Sequence, residues 1–376
     1  MKKIFLSLLL PMLLLSACTE KEEALPPAPE PTPTPAVEEE QPVEEETLTY
    51  GNATFRPDEK ELDLSAEKLD IPALIDVLSR SGAERVELGE NAPTIEEAEA
   101  LSAGCPGVFF RYDTEFIGQT LSTEVTEIDL SGRTFLDTEE LERELVRFPF
   151  LTKVDMCDCG LDDETMAALN ECHPGTEFVW MVTVRVWRVR SDATYFISYG
   201  TETVKGMPKT GFDNLRYCKN LVAVDLGHYT VKNEELEFLY STPHIRYLIL
   251  AITHVSDLTA VGSLQELEYL ELFFTDFSDI TPLENCPKLK HLNICHCYNL
   301  RDDCIESLCR MTQLERLWFY DHRLSRNFTP ELEAALPHCE IQHFLGTIHS
   351  GATGYGWREH EAYYAMRDAF DMFYLD

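Results

Sequence analysis

Long apolar runs are missing from this 376-residue chain. The apolar stretch Ile4 to Leu15 is interrupted by Pro11 and falls short of the about 20 residues that span a bilayer, so attachment through a membrane helix is not expected. Basic residues are scarce, 31 Lys and Arg against 67 Asp and Glu. A surface of that sign repels phosphate backbones and anionic head groups, which argues against nucleic acid and direct bilayer adsorption as partners. Motifs that would carry catalysis are also absent. No G-x-S-x-G and no P-loop occurs, and His360-Glu361 lacks the second histidine of H-E-x-x-H because position 364 is Tyr. The glycines of Gly351-Ala-Thr-Gly354-Tyr-Gly356 follow no clear strand, so they read as a connector rather than a dinucleotide loop. No cofactor and no metal site is expected.

What is present begins with Lys2 and Lys3 ahead of the short apolar run, the layout of a secretory signal. Leu15-Ser16-Ala17-Cys18 closes it and resembles the bacterial lipobox. That resemblance implies that residues 1–17 are removed and that Cys18 carries a diacylglyceryl group plus an N-acyl chain, which together anchor stably. Removing Lys2 and Lys3 leaves 29 basic against 67 acidic groups, a formal charge of −38. Residues 18–48 follow as a tether. Between Thr19 and Thr47 ten Glu stand against one Lys, with frequent Pro. Such a stretch has too little apolar surface to offset the entropy of ordering. Proline and like charges extend it, to about 80–90 Å at full reach. The expected location is extracytoplasmic, lipid-anchored to a bacterial membrane or cell surface, with the membrane contacted only through the lipid.

Beyond the tether the composition is that of a folded chain, 44% hydrophobic overall. The hexads Leu221–Leu226, Ile245–Leu250, Leu267–Leu272, Leu289–Ile294 and Leu314–Phe319 share the pattern L-x-x-L-x-L and start 24, 22, 22 and 25 residues apart. Val125–Leu130 and Leu151–Met156 repeat it upstream, and it thins to Leu62-x-Leu64, Val86-x-Leu88 and Val108-x-Phe110. In L-x-L the leucines face one way, and a short strand can bury that face only by stacking on its neighbours. The pattern resembles the leucine-rich repeat over about residues 60–345. "VSDLTAVGSLQELEYLEL" and "FSDITPLENCPKLKHLNI" are similar to internalin-type repeats of bacterial surface proteins. The resemblance implies an α/β solenoid, a right-handed leucine-rich-repeat horseshoe with a concave parallel sheet, an irregular β insert and a C-terminal capping helix. The blocks are then residues 49–176, irregular repeats; 177–214, the insert; 215–345, regular repeats; and 346–376, a Gly-rich connector and the helix.

Thr94-Ile-Glu-Glu97 and Asp137-Thr-Glu-Glu140 predict capping boxes at helix starts, and Thr329-Pro330 places Pro in a first helical turn. The two shortest returns leave room only for a tight or single 3₁₀ turn. Phe178, Trp180, Val182, Val184 and Val186 alternate with period two, which predicts a longer strand or hairpin within the insert. It either joins two repeat blocks or forms a binding flap. In the helix, Tyr363, Met366, Phe370 and Phe373 recur on one face, which predicts that it caps or docks on the last repeats.

Twelve cysteines leave eleven once Cys18 is lipidated, an odd number that cannot all pair. Repeat alignment puts Cys159 and Cys297 in the core and turns Cys157 and Cys295 outward, as exposed thiols. The two Cys-x-Cys fragments lie too far apart to share a zinc ion. Asp129 and Asp155 occupy one position on neighbouring strands, a spacing that would suit a retaining glycosidase. An acidic ladder on a solvated face is the simpler account.

The residues between and after the leucines of each repeat are expected on the concave face. Aromatic side chains and arginine gather toward the C-terminal repeats. Because interfaces are enriched in Trp, Tyr and Arg, the candidate ligand-binding residues are Tyr247, Tyr269, Phe273, Trp318 and Tyr320, with His291 and Arg316 for polar specificity. The expected function is protein–protein interaction or adhesion. Capture of a glycan or peptide ligand is the alternative, and a glycoside hydrolase-like enzyme the third reading.

Overall fold

Apolar side chains at alternate positions of short strands leave each strand with one face that only a neighbour can cover, and this chain covers it repeatedly. The computed structural model describes residues 46–134, 138–198, 211–320, 322–325, 327–342 and 361–370. Cys18, almost all of the tether and the connector lie outside them. Residues from Thr47 onward form one unit. The hairpin of β1 (Leu48–Tyr50) and β2 (Ala53–Phe55) opens it. Then β3 (Glu61–Asp63), β4 (Arg85–Gly89) and β5 (Phe109–Phe116) pair in parallel, with β6 (Gln119–Ser122) added antiparallel. A second parallel sheet joins β7 (Glu127–Asp129), β8 (Lys153–Asp155) and β9 (Glu177–Val179).

After the hairpin of β10 (Met181–Val184) and β11 (Trp187–Arg190) comes a seven-stranded sheet, parallel throughout and in sequence order. Its strands are β12 (Tyr195–Ile197), β13 (Ala223–Asp225), β14 (Tyr247–Ile249), β15 (Tyr269–Glu271), β16 (His291–Asn293), β17 (Arg316–Trp318) and β18 (Glu340–Gln342). Sequential parallel pairing at this period is a repeat solenoid. Its pattern leucines do what the alternation predicts: Leu248, Leu250, Leu270, Leu272, Leu292 and Ile294 are fully buried. Each contributes about 1.5–3 kcal/mol of apolar burial.

The return segments are α1 (Ile71–Leu78), α2 (Ile95–Gly104), α3 (Thr138–Leu145), α4 (Asp163–Cys172), α5 (Cys304–Arg310) and α6 (Thr329–Ala335). The Thr94–Glu97 capping box is formed, and Pro330 sits in the first turn of α6. Asp137, the cap expected for α3, lies outside the described residues. The two shortest returns hold only the 3₁₀ turns Val261–Ser263 and Thr281–Asn285. A last helix, α7 (Glu361–Ala369), follows the connector.

The insert is smaller than the span 177–214. Strand β9 continues the β7–β8 ladder and β12 begins the seven-stranded one, so only the β10–β11 hairpin stands between these two ladders. Alternation alone could not separate these roles, because an end rung and a hairpin strand share period two. Val182, Val184 and Trp187 of the hairpin are buried, and the Trp187 ring stacks on Phe212 at 5.8 Å. Val186, the last of the alternating residues, is exposed at the hairpin turn. The hairpin fills core between the two ladders rather than standing out as a flap.

Candidate functional site

Several strands end in the same device. The third residue supplies a side-chain acceptor to the N–H two residues on: Asp129 to Ser131 (2.9 Å), Asp155 to Cys157 (3.0 Å), Asp225 to Gly227 (2.8 Å) and Asn293 to Cys295 (3.1 Å). This Asx turn bends the chain off the sheet. One residue further, the backbone is left-handed at Gly132, Asp158, His228, Ile252, Phe274 and His296. The pair proposed for glycoside hydrolysis is therefore committed to turns. Hydrogen bonds from Ser131 hold the Asp129 carboxyl below its ordinary range. At Asp155 burial pulls the other way, but Cys157 N–H and Arg190, 2.7 Å away, outweigh it. Lys153, on the same strand as Asp155, binds Asp192 at 2.6 Å. Both carboxyls are held below their ordinary range, so the pair lacks the raised carboxyl that a general acid needs.

On the seven-stranded sheet the register sets two rows on the face opposite the leucines. One runs Tyr195, Ala223, Tyr247, Tyr269, His291, Arg316, Glu340; the other Ile197, Asp225, Ile249, Glu271, Asn293, Trp318, Gln342. Five of the predicted contact residues thus share this face in adjacent rungs, with Phe273 and Tyr320 just beyond their strands. Tyr269 and Trp318 approach to 6.3 Å between ring centroids, and Tyr269 and His291 also to 6.3 Å. The Arg316 guanidinium lies 5.2 Å from the Trp318 ring, donates to Gln342 Oε1 at 3.1 Å and pairs with Glu340. Phe273 meets His296 edge-on at 4.8 Å, and His296 meets Tyr320 at 5.7 Å.

These side chains were expected to be solvent-exposed, and most are not. Tyr269, Phe273, Arg316, Trp318 and Tyr320 are buried, Tyr247 and His291 half-buried. Tyr269, Phe273, Trp318 and Tyr320, with Tyr247 packed against them, belong to an apolar cluster distinct from the repeat core, and Met366 and Phe370 complete it. Burial pushes the Tyr247 phenol up, and Asp368 on α7 adds to the rise. The C-terminal helix therefore packs on the open face of the sheet rather than capping the last repeat. The expected helix face is only partly testable: the Tyr363 side chain and Phe373 lie outside what is described.

Three polar residues were not picked out from sequence. Asp225 is half-buried, with its carboxyl raised by that burial. Glu271, 7% exposed, accepts from the Tyr269 hydroxyl at 3.3 Å. Asn293 is fully buried, and its Nδ2 has no hydrogen-bond partner among the described residues. Their position in the middle row was the available signal, since a polar residue there faces away from the leucines.

Cys157 and Cys295 do point away from the leucines but are buried, at 7% and 0% exposure. Burial pushes the Cys157 thiol up to about 12 and Cys295 well above its ordinary range, so neither is a reactive thiolate. Cys159 and Cys297 sit in the core and donate to Leu130 and Leu272 carbonyls, each at 3.1 Å. All eleven cysteines after Cys18 are free. Among the described residues, no group of three or more His, Cys, Asp or Glu could hold a metal ion. No described helix is long and apolar enough to cross a membrane.

No protein-family model and no curated protein matches the chain. Among solved structures it is similar to an internalin C2 from Listeria monocytogenes, at 15% identity and a TM-score of 0.23, over 73% of this chain and 84% of that one. It is also similar to an internalin, inlF, from the same organism, at 12% identity and a TM-score of 0.26, over 73% and 93%. TLR13 in a complex with ssRNA13 matches at 12% identity and a TM-score of 0.33, over 76% of this chain and 40% of that one. These neighbours are leucine-rich-repeat proteins, and similarity this low carries no information on function.

Proposed function

We propose that this chain is a lipid-anchored, extracytoplasmic interaction module whose seven-stranded sheet binds a protein partner through its open face. The observation that supports this reading is a second apolar cluster, built from Tyr269, Phe273, Trp318 and Tyr320 on the side of the sheet away from the repeat core. A solenoid needs only its leucine side to fold. Large aromatics backed by Arg316 on the opposite side have the composition of interface hot spots. The finer architecture belongs to the same reading: a right-handed, curved solenoid whose open face is concave. Tyr247, Tyr269, Phe273, Trp318 and Tyr320 supply the contact area, and His291 and Arg316 the polar selectivity. Cys18 carries the lipid, and residues 18–48 hold the repeats off the membrane. The large acidic excess disfavours nucleic acid as the partner.

Glycan or peptide capture is the second reading, favoured by one feature: the unpartnered Asn293 amide between Glu271 and Trp318. Crosslinking of the exported protein on intact cells separates the two. A discrete protein adduct lost in a Trp318→Ala chain supports the first reading, and saturable labelling by a glycan array alone supports the second. The anchor has its own test. Cys18→Ser should release the chain from membranes or leave its precursor uncleaved, and a mature-sized, membrane-held Cys18→Ser protein would refute lipidation.

A further inference from the structure

The helix on the open face has the character of a ligand. Met366 and Phe370, four residues apart on one side of α7, are each 1% exposed and lie within the aromatic cluster. Ala369 packs beside them, while Glu361, Tyr364, Ala365 and Asp368 are exposed. Nine residues are too few to hold a helix alone in water, so the order of α7 depends on the surface beneath it. In the sequence 18 residues, 343 to 360, separate it from β18. The fit is also incomplete. Asn293, on the same face, keeps a buried Nδ2 with no partner among the described residues, and a buried donor left unsatisfied is costly. A competitor that brought an oxygen acceptor to that amide would gain what α7 does not provide.

We propose that the open face of the seven-stranded sheet is a helix-docking surface that α7 occupies in cis. Its partner in trans is an amphipathic helix with two large apolar side chains one turn apart and an acceptor group placed for Asn293. This rests on the open face being the binding site, and it adds the partner's chemistry and a built-in competitor. Intermolecular binding then requires α7 to lift off.

The probe is a labelled 20-residue peptide of residues 357–376, the chain's own helix, offered to two full-length chains. The parent should bind it weakly. The Met366→Asp/Phe370→Asp chain, whose own helix cannot dock, should bind it at least tenfold more tightly, and a Phe370→Asp peptide should bind neither. Equal binding to the parent and the double variant, or no binding to a double variant with native circular dichroism, would overturn the proposal. So would loss of a cooperative melt in the double variant, because α7 would then be part of the fold. Hydrogen exchange on the unaltered chain gives an independent readout. Amides of α7 should exchange at least 100-fold faster than those of β14–β17, and equal protection rules out a displaceable helix. The reading of function fails separately, when the double variant captures no protein on cells although it binds the peptide.

Discussion

Ile252 and Phe274 stand at φ values of 58° and 54°, where a β-branched or bulky residue is disfavoured and Gly or Asn is comfortable. Both are exposed, at 39% and 49%, so little core packing offsets the cost. Ile252→Asn should therefore stabilise the chain by about 0.5–1 kcal/mol, seen as a higher urea midpoint at unchanged slope. A lower midpoint would show that the exposed ring and branch make contacts that outweigh the backbone term. Asp225 gives a second test, one that depends on pH. Burial raises its carboxyl, so its folded-state pKa lies above the unfolded value. The ionised form therefore destabilises the fold at neutral pH, and that penalty disappears as pH falls below the unfolded carboxylate range of about 4. Asn293 closes the same turn three rungs away, which shows that an amide suffices there. Asp225→Asn should raise the denaturation midpoint at pH 7 and match the parent near pH 3. A constant offset across that range would refute the linkage. No sequence pattern reveals either case, since a left-handed turn filled by Ile looks like any apolar position.

Short elements were legible where local chemistry repeats. The leucine hexads marked the strands, Thr94 and Pro330 marked helix starts, and the tight spacing around residues 256–280 left room only for 3₁₀ turns. What alternation could not supply was partnership. Glu177–Val179 reads like the start of a hairpin and is instead the end rung of a ladder, because pairing is decided across space. The β10–β11 hairpin shows the same point from the other side. Trp187 contacts Phe196, Phe212 and Tyr229, which ties the hairpin to the second ladder. Truncating a buried ring of this kind costs about 3–5 kcal/mol. Trp187→Ala should therefore lower the global melt sharply, whereas Val186→Ala, at the exposed hairpin turn, should leave it within about 0.5 kcal/mol of the parent. Were the hairpin a binding flap, the two substitutions would have similar, small effects on stability.

At the scale of the whole molecule the candidate face was found in the sequence and its environment was not. Tyr269, Trp318 and Tyr320 were identified by position, yet they are buried in a cluster with Met366 and Phe370, and sequence distance does not say which face such a helix covers. Division of the core was equally hidden. The repeat pattern runs on from Leu62 to Phe319, but the apolar interior is split. Residues from Leu48 to Tyr112 form one cluster, and those from Phe116 to Leu336 form another that includes the hairpin. In a solenoid each segment is stabilised by its neighbours, so separate cores can open separately. Val86 and Leu270 are both fully buried, one in each cluster. Leu270→Ala should cost about 2–5 kcal/mol in the main transition. Val86→Ala removes less, and its effect should be confined to the first core: faster hydrogen exchange across β3, β4 and β5, with the strands from β13 to β17 unchanged. Uniform acceleration over all of these strands in the Val86→Ala chain would mean that the two cores unfold as one, and that β6 and the segment after it couple them more tightly than the break in apolar contact implies.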